Sequence, residues 1–158
     1  MTGRGPASPN TVRWLIGGFL VAVVAVTVWG FFVVEEARQV AYRTDREVRA
    51  VAWRLLAMAD RDGSMPDSES RLADADGLEL PGMIASPDGQ WPATPEAAGI
   101  DADGGTFNLA SDQVRVVFEA DRPPRVTVVG LPTRNGTLDE VNRWIEAWAE
   151  AHGPAAAR

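Results

Sequence analysis

The sequence predicts an α+β protein: a long N-terminal helix, part transmembrane and part stalk, packed on a small antiparallel β-meander, with a C-terminal amphipathic helix closing the unit. Three observations predict it. Residues 14–34 are apolar and uncharged, residues 35–62 contain no glycine or proline, and short alternating strands precede a last segment of helical period. All 15 basic residues are Arg against 22 acidic ones, so the chain carries a net charge of −7. That balance argues against a nucleic-acid binder, which needs a cationic face to release counterions. The absence of Cys excludes disulfides, thiolate catalysis and Cys-based metal sites.

Residues 1–13 read as a short N-terminal tail and 14–34 as the membrane helix. At ~1.5 Å per residue the run spans about 31 Å, the thickness of a hydrocarbon core. Trp14 and Trp29 lie near its ends, where indoles favour the headgroup boundary. A cleaved signal peptide would have a shorter apolar region and a small-residue cleavage site, which is hard to find before Glu35. The chain is therefore expected in the cell membrane as a single-pass protein. Arg38, Arg43, Arg46 and Arg49 follow the run and favour a cytoplasmic C-terminal part. The short basic tail with Arg4 and Arg13 is instead the usual signal-anchor arrangement, and it places the C-terminal domain outside the cytoplasm. We favour the second orientation.

Residues 35–62 read as a stalk helix that continues into the domain core, stopping at Asp62-Gly63 with Pro66 beyond. Val34, Ala41, Val48 and Leu55 recur every seven residues, as do Ala37, Thr44, Val51 and Met58. The segment from Ala50 to Ala59 is apolar on more than one stripe, as expected of a helix buried within its own domain. Val51, Trp53, Leu55 and Met58 are therefore assigned to the core. Val34, Ala37, Ala41, Thr44 and Val48 form an interaction stripe open to solvent or a partner. With Gly18 and Ala22 in the anchor, that stripe points to membrane lipid and to self-association or other membrane proteins through residues 18–48.

Residues 63–153 form the outer domain and 154–158 a disordered tail. Ser68 is placed to cap a short helix reaching Asp74, and Ser86-Pro-Asp-Gly89 reads as a turn. Thr106–Ala110, Gln113–Ala120 and Arg125–Leu131 carry strand signals, the last two joined by Asp121-Arg-Pro-Pro124 as an antiparallel pair. Thr137 and Glu140 match a capping box, followed by Leu138, Val141, Ile145 and Trp148 at helical spacing and by Gly153-Pro154.

Chemistry is sparse. Asp60-Arg-Asp62-Gly63, Asp74-Ala-Asp76-Gly77 and Asp101-Ala-Asp103-Gly104 share a turn signature. Only Asp101, Asp103 and Asp112 suggest calcium, and an EF-hand would need an acid where Gly105 stands and a glycine where Thr106 stands. His152 is the lone histidine, with no elbow serine or second ligand near it in sequence. Asn135-Gly-Thr137 is a glycosylation sequon, but its turn and capping roles explain it fully. Trp144 and Trp148 lie one turn apart, one expected in the core and the other partly exposed. No enzyme and no cofactor are expected.

A single apolar helix that continues as a stalk, packs on a small antiparallel sheet and leaves through an acid-Gly-x-x-Pro loop, here Asp62-Gly63-Ser-Met-Pro66, resembles the type IV pilins and pseudopilins. The resemblance covers most of the chain as architecture. It implies a non-enzymatic structural or assembly subunit working through helix–helix contacts. The Gly-Phe and Glu of a prepilin leader occur as Gly30-Phe31 and Glu35, at the far end of the apolar run rather than before it. The alternative is a membrane-anchored ligand-binding or sensor domain, whose mark would be an apolar concavity lined by Trp91, Trp144 or Trp148.

Overall fold

A computed structural model describes residues 9–74, 82–100, 113–134 and 136–153. In order these form α1 (Pro9–Asp62), α2 (Glu69–Asp74), a single 3₁₀ turn (Pro87–Gly89), β1 (Val114–Val117), β2 (Arg125–Val128) and α3 (Thr137–His152). The layout is α+β. Two compact units divide the chain, Met1–Gln39 and Val40–Arg158.

The first unit is the N-terminal part of α1. Pro9 opens the helix at a position where its missing N–H costs nothing. Gly17, Gly18 and Gly30 sit inside the helix with no neighbouring atom near their Cα hydrogens. Glycine weakens a helix in water but is common in membrane helices. The one hydroxyl in the run, Thr27, donates to the carbonyl oxygen of Val23 at 2.8 Å, so its polar group is satisfied within the helix.

The second unit is built around the C-terminal part of α1. Residues 51–59 are buried at every position, so about two and a half turns of helix are covered all round. Val51, Trp53, Leu55 and Met58 lie in this cluster with Ala52, Leu56 and Ala57, packed against Leu72, Ile84, Trp91, Val126 and the inner face of α3. Burying one large aliphatic side chain contributes ~1.5–3 kcal/mol, so this helix is the main source of the unit's cohesion. It ends at Gly63, whose φ of 70° a side chain would strain.

The cover begins earlier along α1 than the heptad pattern implies. Thr44 and Val48 are 1% and 0% exposed, and Asp45 is buried beside them. Two of the five stripe residues are therefore core of their own domain. The physical reason is a latch at Asp45. Its Oδ1 accepts from the backbone N–H of Arg134 at 3.0 Å, and the Arg134 guanidinium lies 4.9 Å from the centre of the Tyr42 ring. The 130–134 segment is thereby drawn over this turn of the helix.

β1 and β2 pair antiparallel with Val114 opposite Val128 and Val116 opposite Val126. Val114, Val116, Val126 and Val128 face the core, as the alternation requires. Among the described residues the sheet has two strands, and the expected third strand, Thr106–Ala110, lies outside them. Asp121, at φ 65°, makes the tight part of the connection.

α3 begins at Thr137 after Gly136, whose φ of 89° is left-handed, and no side-chain cap bond forms. The expected capping box is not present. Thr137 is buried as the first helical residue, and the Glu140 carboxylate is taken by Arg49, whose two-pronged charged contact outcompetes a single bond to a backbone N–H. Val141, Ile145 and Trp148 are fully covered. Ser68 precedes α2, but its hydroxyl sits with Asp67 and Ser70 rather than on the helix backbone.

Candidate functional site

The most prominent surface is apolar. Trp14, Phe19, Val21, Trp29, Phe31 and Val34 are each more than two-thirds exposed, and one 18-residue apolar window of α1 is left uncovered by the described residues. The segment is long and apolar enough to cross a membrane. Below it, Val34 and Ala37 are exposed and Ala41 is half-buried, so the open part of the stripe ends where Thr44 goes under. Glu35 and Arg38 form an exposed pair at 3.8 Å beside it.

Arg49 is the polar centre of the second unit. Its guanidinium meets both oxygens of Glu140 from α3, donates to the carbonyl oxygen of Ala98 at 3.3 Å and lies 5.4 Å from the Trp144 ring centre. One side chain of α1 thus ties α3 to the 94–99 turn. That turn is itself organised by Thr94, whose hydroxyl accepts from the N–H of Ala97. Asn142 is a second buried device. Val126 N–H donates to its Oδ1 at 2.8 Å, and its Nδ2 donates to Val126 C=O at 3.0 Å. Both groups face away from β1, so the carboxamide satisfies the edge of β2 from inside the core. From sequence, Arg49 counts only as one of the arginines that bear on orientation, and Asn142 has no assigned role. Asn142 carried a usable signal: it stands four residues after Leu138 on the apolar stripe of α3, where a polar residue must find a buried partner.

The tryptophans fill space rather than frame it. Trp91 and Trp148 are buried at 2% and 0% exposure, and Trp144, expected to share its helix with one partly exposed indole, is also buried. The Trp91 indole N–H donates to the carbonyl oxygen of Ala85 at 2.9 Å, closing the loop over the 3₁₀ turn. The opening beside Trp144 is a groove of about 430 Å³ lined also by Ala147, Gln90, Glu140, Arg143, Glu146 and Glu150, a mixed surface in which four charged side chains border the indole. His152 stacks on Trp148 with ring centres 4.0 Å apart, and its Nδ1 lies 2.9 Å from the Trp148 carbonyl oxygen.

At the far end of α1, Arg61 donates to Asp62 at 2.8 Å and Arg71 of α2 approaches the same carboxylate at 3.6 Å. The Asp62 carboxyl is held below its usual range by the Arg61 hydrogen bond first, which outweighs the opposing effect of burial, with the charges of Arg61 and then Arg71 lowering it further. Asp101, Asp103 and Asp112 lie outside the described residues. Among the described residues no three His, Asp or Glu side chains cluster as a metal site. The chain matches no protein-family model, no curated protein and no solved structure.

Proposed function

We propose that the chain is a single-pass membrane-anchored, non-enzymatic structural or assembly subunit, with its C-terminal domain outside the cytoplasm. One observation carries the reading: a single helix, α1, supplies both an uncovered apolar run of membrane length and the innermost layer of the domain core. An anchor that is also core holds its domain without a glycine- or proline-rich linker, which suits a part that positions rather than one that reaches. The pilin-like layout supports the same reading, with helix–helix contacts through residues 18–41. Thr44 and Val48 are excluded from them by burial. The burial of Trp91 and Trp148 and the charged border of the groove beside Trp144 give the sensor alternative less support.

The test is a dual reporter fused after Arg158. A reporter active only outside the cytoplasm is expected to work there, and membranes washed with alkaline carbonate are expected to keep the chain. Activity of a cytoplasm-only reporter would reverse the orientation and give the decision to the four stalk arginines. Release of the chain by carbonate would overturn the anchor itself.

A further inference from the structure

Two surfaces of the second unit carry like charges without partners among the described residues, of opposite sign and similar spacing. The outward face of the β1–β2 ribbon holds Arg115, Val117, Arg125, Thr127 and Val129, because the alternate residues turn to the core. Val117 and Val129 are 38% and 51% exposed. The register sets Arg115 opposite Thr127 and Val117 opposite Arg125, so the two arginines are diagonal neighbours. Such neighbours stand roughly 7–8 Å apart. Neither makes an ion pair among the described residues.

On α3, Glu146 and Glu150 are exposed four residues apart and likewise unpaired among the described residues. Like charges at that spacing, about 6 Å, oppose helix formation. They border the groove in which Trp144 and Ala147 present their edges. Glu140 is already matched by Arg49, and Arg143 is the remaining cation there, its Nε donating to the carbonyl oxygen of Asp139 at 3.2 Å. With Asp139 counted, this face of α3 keeps an acidic excess.

We propose that the outward ribbon face of one copy docks in the α3 groove of a second copy. Arg115 and Arg125 meet Glu146 and Glu150, and Val117 and Val129 cover the edge of Trp144. The two surfaces differ, so the contact is head-to-tail and propagates into a ring or a filament instead of closing as a two-fold dimer. This deepens the assembly reading, on which it rests, by naming the partner as a second copy of this chain. Confinement to a membrane raises the effective concentration of copies, which suits a contact built from rim ion pairs that are individually weak.

Cross-linking of full-length chains in liposomes tests it, in a protein whose lack of Cys leaves no background thiol. A chain carrying Val129→Cys is mixed with one carrying Ala147→Cys, and the control mixture pairs Val129→Cys with the exposed Ser70→Cys. The first mixture is expected to give several-fold more mixed disulfide. Raising salt from about 0.1 to about 1 M, which shortens the screening length from about 10 to about 3 Å, is expected to abolish the excess. Arg115→Glu with Arg125→Glu in the first chain should bring the yield to background. Adding Glu146→Arg with Glu150→Arg to the second chain should restore it, a recovery that misfolded chains would not show. Equal yields in the two mixtures, or no recovery, would overturn the inference. An alkaline carbonate wash separates the two claims: chains that wash off overturn the anchored reading, and the docking is then decided by the same mixtures in solution.

Discussion

The carboxamide of Asn142 stands where a third strand would otherwise run, bonded to both polar groups of Val126. Asn142→Ala leaves a buried N–H and a buried C=O unpaired and is expected to cost about 2–5 kcal/mol. Asn142→Asp should be no better, because a carboxylate accepts from the N–H but repels the carbonyl oxygen. Urea titrations of the detergent-solubilised chain, followed by tryptophan emission, read both variants. At Arg49 the geometry matters as much as the charge. Arg49→Lys keeps the charge but cannot span two Glu140 oxygens and the Ala98 carbonyl, and about 1–2 kcal/mol should be lost. A double-mutant cycle with Glu140→Gln isolates the pair. Asp62 acts on pH. Its folded carboxyl is held low, so its contribution is present above the ordinary carboxylate range near 3.9 and disappears as pH falls through the lowered value. Asp62→Asn should therefore melt below the native chain at pH 7, and the two should converge in acid.

At the level of elements, α1 decides most of the architecture. Leu55 is fully buried, so Leu55→Ala should cost about 2–5 kcal/mol, and Leu55→Asp should unfold the domain by placing a charge in its centre. Thermal melts followed by near-UV circular dichroism distinguish the two. Single cysteines at Val34, Ala37 and Ala41 should cross-link more readily than at Glu36 or Gln39 on the opposite face, and one at Val48 should not react. Much of this was legible in the sequence. The end of α1 at Asp62, the two strands with their inward valines, and the core face of α3 all follow from periodicity and from Gly63 and Gly153. What was not legible depends on side chains meeting across long stretches of chain. The Asp45–Arg134 contact spans 89 residues and Arg49–Glu140 spans 91, and neither leaves a local pattern. The first hides Thr44 from a partner, and the second removes Glu140 from the capping box that its spacing to Thr137 advertised.

For the molecule as a whole, the six tryptophans divide by environment. Trp14 and Trp29 are 80% and 70% exposed on the apolar run, while Trp53, Trp91, Trp144 and Trp148 are buried in the second unit. In bilayers containing lipid-borne quenchers, the emission of Trp14 and Trp29 should fall strongly and that of the other four little, read from variants that retain one set at a time. Equal quenching of both sets would mean that the domain itself enters the lipid.

The change from open to covered helix between Ala41 and Thr44 also determines where the chain can be cut. Arg38 and Arg43 lie on exposed helix held mainly by its own backbone bonds, the kind of segment that opens locally and admits a protease. A fragment released there keeps Thr44, Asp45, Val48 and Arg49 and with them the whole core. A cut only two turns further on would remove the Asp45 latch and the Arg49 centre together. Limited trypsin digestion of the membrane-bound chain is therefore expected to shed a folded, water-soluble domain that begins just after Arg38 or Arg43.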